Sequence, residues 1–344
     1  MLQSITEIAL ETVQDLGDLR AIRTLPVLVV HAHSSCNCRC MMCDIWKTRP
    51  GKPFRARDLQ PHLASIRRLG VRWLVFSGGE PLLNPELPLL CSILREEKIR
   101  LTLLTTGLLL EKNADAVVES FDDVIVSIDG PPKIHDAIRR VEGAFSLIHA
   151  GIDALRKRRE DFRITARTVV QKANHCHLRE TANGARLLEL NAISFLAADL
   201  TSAAFNRPLV WPIARQEEVG LSLRELDALD TEIESLIYLS AQEGERGFIV
   251  ETPEKLRRIA RHFRVQLGLE KAESPLCNAP WVSAVIETDG TVRPCFFHKS
   301  LGNLNEQSLE AIINGPLASD FRASLDIPNN AICNRCVCSL YYRF

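Results

Sequence analysis

The chain has 344 residues, 46% of them hydrophobic and 25% charged, a composition that can bury a sizeable core and excludes a disordered or low-complexity chain. Its 42 Lys and Arg nearly cancel 43 Asp and Glu, so no global field draws it to nucleic acid or to an anionic membrane. No apolar run approaches the roughly 20 residues that span a bilayer, and the first twenty residues lack the basic start and apolar block of a secretory signal; the expected compartment is the cytoplasm.

In chain order, Leu2, Ile5, Ala9, Val13 and Leu16 form a helical stripe opposite Glu7, Glu11 and Asp15, predicting a helix within residues 1–25 that packs against the rest of the chain. From residue 26 to 200, β-rich runs alternate with helix-compatible segments. The strands are expected at 27–32, 71–76, 101–105, 124–128, 163–170 and 192–195, and the helices at 57–69, 87–96, 113–119, 143–158 and 177–188. That order requires parallel strands with right-handed crossovers, and six of them predict an α/β fold, a partial (β/α)6 barrel. Ligands of such sheets sit at the carboxyl ends of the strands, so the loops after each strand are where chemistry is expected. The rhythm changes in residues 201–274, where 222–240 has a helical period and Thr252-Pro253-Glu254 reads as a helix start with proline at its first position. Residues 275–344 form a small cysteine-bearing module, with a hairpin turning at Thr288-Asp289-Gly290-Thr291.

Eleven cysteines without a secretion signal suit a reducing compartment, where clustered thiols hold metal more often than they form disulfides. Cys91 and Cys176 stand apart and are expected to be small buried hydrophobes. Cys36, Cys40 and Cys43 have the spacing C-x3-C-x2-C on the loop after the first strand. Three thiolates can hold three irons of a four-iron cluster and leave the fourth open, whereas structural zinc favours four ligands in C-x2-C pairs.

At this point the sequence resembles the radical S-adenosylmethionine (SAM) superfamily. In that family the open iron is chelated by the methionine part of SAM, and an electron through the cluster cleaves the sulfonium to a 5′-deoxyadenosyl radical that abstracts a substrate hydrogen. The later loops continue the resemblance: Ser77-Gly78-Gly79-Glu80-Pro81 after the second strand, Thr105-Thr106-Gly107 after the third, and Ser127-Ile128-Asp129-Gly130 with Arg139 after the fourth. The resemblance implies that these residues, with Met42 where relatives carry an aromatic, bind SAM. It also implies an external electron donor such as flavodoxin or ferredoxin. Cys38 falls at a position that the signature leaves free and is read as a bystander.

In the last module, 17 residues separate Cys277 from Cys295, and Cys333 and Cys336 form C-x2-C. Four such cysteines can close a second iron–sulfur cluster or a zinc knuckle. The layout resembles the twitch or truncated SPASM module, which implies one auxiliary cluster, with Cys338 as a competitor of Cys336 for the fourth ligand position. It is similar to 2-deoxy-scyllo-inosamine dehydrogenase, implying oxidation or rearrangement of a small molecule; maturation of a ribosomal peptide is the alternative, and a zinc-stabilised scaffold is the alternative outside enzymes. Only about 25 residues precede the first strand, short for a leader-binding domain, which favours the small molecule. Arg167 and Asp199, near the ends of the fifth and sixth strands, are candidates for handling a substrate proton or charge. His31 and His33 are read as structural, and the basic segment 256–264 as a solvated face.

Overall fold

The computed structural model describes residues 21–207, 209–242 and 247–343. The N-terminal helix expected within residues 1–25 therefore lies almost wholly outside the described residues. Six parallel strands form the barrel wall: β1 Val27–His33, β2 Trp73–Gly78, β3 Arg100–Thr105, β4 Asp123–Ser127, β5 Arg163–Val170 and β6 Ala192–Ala197. Each matches an expected run to within two residues at either end. Alternation does the sorting: Leu28, Val30 and Ala32 of β1 are fully buried in the helix-facing core, whereas Val27, Val29, Trp73, Val75, Leu104, Ile125 and Arg167 face the barrel interior.

Two helical expectations needed correction. The helix expected at 57–69 is broken into Ala56–Leu59, a 3-10 turn and Leu63–Arg68, because Pro61 supplies no N–H to an α-helical ladder. Conversely, the stretch after β4 contains a helix, Pro132–Arg139, with proline in its first turn. The helix start at Thr252 is as expected, its hydroxyl accepting from Lys255 N at 3.3 Å.

The C-terminal cysteine-bearing residues are joined to the barrel through its sheet. The hairpin strands β7 Ser283–Ile286 and β8 Thr291–Arg293, with β9 Gly302–Asn303, extend the barrel sheet, giving the order β6-β5-β4-β3-β2-β1-β7-β8-β9. β7 lies parallel to β1, Val27 opposite Ser283. All four residues of β7 are buried, and its sequence does not say which strand it pairs with.

Candidate active site

The loop that leaves β1 is shaped by its own polar groups. Ser35 N donates to His33 Nδ1 at 3.0 Å, Trp46 Nε1 donates to Cys43 O at 2.8 Å, and Arg39 N and Met41 N donate to Arg139 O and Ile138 O. The last pair docks the loop on the end of the helix Pro132–Arg139. The thiols meet N–H donors: Cys38 N on Cys36 at 3.5 Å, Ile45 N on Cys43 at 3.4 Å, and Arg139 Nη1 on Cys40 at 3.5 Å. Such donors stabilise thiolate, the form that ligates iron, so this donor set fits an iron–sulfur cluster on Cys36, Cys40 and Cys43. Arg139 is fixed by a buried ion pair with Asp129 at 2.6 Å. The Cys38 proton, shared with Cys40, and the Arg139 cation outweigh burial and bring Cys40 down to about 7. Burial pushes Cys43 up to about 12. Cys38 is held far above its ordinary range by hydrogen bonds to Cys36 and Cys40 and by burial.

The turn after β2 meets this loop closely. Gly79 N donates to His33 O at 2.8 Å and Glu80 N to Ser35 O at 2.9 Å, and a Cβ on Gly79 would lie 2.0 Å from Ser35 O. Those bonds fix the turn against the cysteine loop, and its carbonyl oxygens are acceptors of the kind a bound cation needs. The Glu80 side chain turns inward: its carboxylate accepts from Leu82 N at 3.0 Å and, at 2.7 Å each, from Thr105 Oγ1, Thr106 N and Thr106 Oγ1. Glu80, Thr105 and Thr106 therefore serve one another, locking the loops after β2 and β3 together, and Gly107 N closes on Thr105 Oγ1. Pro81 opens a 3-10 turn. Met42 is buried, with Gln171 Nε2 on its sulfur at 3.5 Å. Ser127 is half-buried at the end of β4, opposite Arg167 in register, and Ser77 faces inward from β2.

The second set of cysteines gathers inside the barrel. Cys277, Cys295, Cys333, Cys336 and Cys338 all line one cavity of about 200 Å³, walled by Val27, Val29, Val75 and Arg167. His298 Nε2 stands 3.3 Å from Cys333 Sγ, and Cys336 Sγ donates to Cys338 O at 2.6 Å. Burial raises Cys295 to about 11 and Cys333 to about 12. An enclosed, sulfur-lined space with mainly apolar walls fits a cluster held by four of the five. Arg167 points into the barrel as expected, its Nε donating to Ser194 Oγ at 3.2 Å. Asp199 is instead occupied: it pairs with Arg207 at 2.8 Å and accepts from Ser202.

Three further expectations differ. Cys91 is buried but Cys176 is exposed, since it lies in the turn ahead of the helix Leu178–Leu187. The basic segment is a solvated face only in part: Arg257 and Arg261 are exposed, whereas Leu256, Ile259, Ala260 and Phe263 are buried and Arg258 and His262 are partly covered. Arg258 donates to Cys336 O at 2.8 Å, and His262, lowered by burial to about 4, meets Ala198 O at 3.1 Å. The residues that sequence reasoning missed are Asn206, Arg207 and Trp211, in irregular chain with no periodic signal, and Arg215, in the first turn of the helix Ile213–Val219. Arg207 Nη2 and Arg215 donate to the carbonyls of Met42 and Met41, Trp211 Nε1 to Asp44 at 2.8 Å, and Asn206 Nδ2 to Thr48 Oγ1 at 2.7 Å. This stretch straps the cysteine loop.

Between the strap, the loop and the C-terminal hairpin lies a chamber of about 1280 Å³, lined by Gly78, Gly79, His33, Phe205, Phe296 and Lys52 among others. One wall is an aromatic stack, His31 on Phe296 at 6.0 Å and Phe296 on Phe205 at 6.2 Å, with interplanar angles of 21° and 28°.

Family models match both the barrel and the C-terminal residues. Residues 32–184 match the radical SAM superfamily, and residues 277–337 match an iron–sulfur cluster-binding domain. The AdoMet-dependent heme synthase of Methanosarcina barkeri is 28% identical over 211 residues, covering 56% of this chain and 58% of that protein. The pre-heme d1 synthase of Dinoroseobacter shibae is 32% identical over 160 residues, covering 45% of this chain and 39% of the other. The chain thus spans less than two thirds of either relative. Among solved structures, Streptococcus suis SuiB bound to its precursor peptide SuiA superposes with a TM-score of 0.64 at 17% identity, covering 94% of this chain and 73% of that one. Native anSMEcpe with bound AdoMet gives 0.64 at 19% identity, covering 89% and 84%. These share the fold. Among the described residues no helix is long and apolar enough to cross a membrane.

Proposed function

We propose that this chain, which belongs to the radical SAM superfamily and carries a C-terminal iron–sulfur cluster-binding domain, cleaves SAM reductively and abstracts a hydrogen from a small-molecule substrate. A cluster on Cys36, Cys40 and Cys43, given an electron by a flavodoxin- or ferredoxin-type donor, supplies the radical chemistry. The chain's own residues do the rest. Arg139, anchored by Asp129, places a cation at Cys40. The turn at Gly78 and Gly79 presents carbonyl oxygen to a bound ammonium, and the interlock of Glu80, Thr105 and Thr106 keeps that turn at its distance from the cysteines.

The single observation that carries this reading is that one chamber is bordered both by the first cysteine loop, through Ser34, Asp44 and Ile45, and by the segment that follows Cys295. Gly78 and Gly79 line it on one side, while Phe296, Phe297 and His298 line both it and the sulfur cavity. A substrate in the chamber therefore sits between a radical source and an electron acceptor, which supports oxidation or redox-assisted rearrangement in the cytoplasm. The stacked wall and the lysines at 47, 52 and 299 suit a flat substrate bearing carboxylates, and relatives named for haem synthesis support the same class. Peptide maturation remains the second reading, favoured by the fold shared with SuiB.

The test is anaerobic reconstitution. The intact chain is expected to bind roughly eight irons as two four-iron clusters and to form 5′-deoxyadenosine under dithionite. Replacing Cys36, Cys40 and Cys43 by Ala should remove about half the iron and all cleavage. Zinc without iron, and no 5′-deoxyadenosine from the intact chain, would return the scaffold reading.

A further inference from the structure

One cation in this molecule is more deeply placed than a structural tie requires. The Arg207 side chain has 0% exposure, and burying a guanidinium is costly unless its partners compensate. Nη1 meets the Asp199 carboxylate at 2.8 Å, and Nη2 donates to Asp199 O at 2.8 Å and to Met42 O at 3.1 Å. The guanidinium lies 3.8 Å over the Trp211 ring, whose N–H donates to Asp44. Met42 and Asp44 flank Cys43, so the pair grips the loop on both sides of one cysteine. The charges that act on Arg207 are Asp199, Cys43 and Asp44, and Arg207 acts in turn on Cys43. A neutral amide could have made the bond to Met42 O; the chain uses an ion pair whose cationic member is the one that reaches the loop.

We propose that Arg207, balanced by Asp199, is a positioning residue that fixes a cation beside Cys43 and sets the reduction potential of the cluster on Cys36, Cys40 and Cys43. This rests on the radical SAM reading. Reduction adds one electron, taken from the external donor, and breaks no bond. A fixed positive charge in a poorly screened site favours the more negative reduced state and so raises its potential.

The two partners then have opposite signs, which a purely structural role would not produce. In the anaerobically reconstituted full chain, the cluster whose electron paramagnetic resonance signal changes on adding SAM is titrated against applied potential. Arg207→Gln should make that cluster harder to reduce and Asp199→Asn easier. Each should change the reduced-to-oxidised ratio at fixed potential about tenfold, equivalent to about 59 mV for one electron. Arg207→Lys, which keeps the charge, should lie nearer wild type than Gln. If Arg207→Gln cannot hold the cluster, Asp199→Asn decides by the sign of its shift. Unchanged potentials, shifts in the same direction, or loss of the cluster in both variants would overturn the proposal. A wild-type chain with no SAM-sensitive cluster would instead overturn the underlying reading.

Discussion

Gly79→Ala perturbs the joint between the cysteine loop and the turn after β2 by a single methyl group. The added Cβ would lie 2.0 Å from Ser35 O and 2.4 Å from Ser35 C, both backbone atoms with no rotamer to give. Ordinary contact begins near 3.4 Å, so the two segments must part by about 1.4 Å, the difference between those distances. That lengthens the bonds from Gly79 N to His33 O and from Glu80 N to Ser35 O, now 2.8 and 2.9 Å, beyond hydrogen-bond range. Two such bonds contribute about 1 kcal/mol each, and with the strain of parting the total is about 2–4 kcal/mol. Misplacing a reacting group by about 1 Å costs on the order of 100-fold in rate. The variant is therefore expected to keep its iron, lower its melting midpoint and form 5′-deoxyadenosine about 100-fold more slowly. Gly184→Ala is the control, because nothing lies within 4 Å of its Cβ. A Gly79→Ala enzyme that cleaves SAM within threefold of wild type would show that the turn does not position the cofactor.

Glu80→Ala leaves the buried N–H of Thr106 and the part-buried N–H of Leu82 without their acceptor, a cost of about 1–3 kcal/mol for the buried group; an unchanged melting midpoint with lost SAM affinity would return Glu80 to direct cofactor contact. Glu251, which accepts from Phe195 N at 2.9 Å, is raised by burial to about 7. A carboxyl raised in the fold gives stability that is present below its unfolded value of 4.5 and lost as pH rises through about 7. Glu251→Gln should thus match wild type at pH 4 and exceed it at pH 8 by about 3 kcal/mol, and denaturation midpoints showing a gap independent of pH would refute the shift. Cys38→Ala should hold wild-type iron and form 5′-deoxyadenosine normally, even though its thiol lies against Cys36 and Cys40; loss of a whole cluster on iron analysis would make Cys38 a ligand.

The parallel strands were legible because each β-rich run was bounded by turn residues, and the cysteine loop because three thiols at fixed spacing have few other uses. Glu80 was harder. Its motif marked it for the cofactor, and the structure shows its carboxylate accepting from two threonines at the neighbouring strand end; spacing along the chain does not show what lies across a sheet. Arg207 and Trp211 carried no signal at all, since an irregular strap has neither helical nor strand period and its contacts reach back some 160 residues. The same holds for Arg258 and His262, whose inward direction is set by what the helix Pro253–Gln266 packs on.

What joins the two cysteine sets is β1. Its inner face, Val27 and Val29, walls the sulfur cavity, its carboxyl end releases the loop of Cys36, and its far edge accepts β7. Because β7 runs parallel to β1, the hairpin turn lies at the same rim as Cys36 and Gly79, and the antiparallel β8 then carries the chain back, placing Cys295 in the sulfur cavity beside Val27 and Ser283. The segment Phe296–His298 that follows β8 lines both the sulfur cavity and the chamber, so the hairpin hung on β1 is what lets a substrate in the chamber lie against both, and it ties the proposed oxidation to a feature of the backbone instead of to any one cysteine.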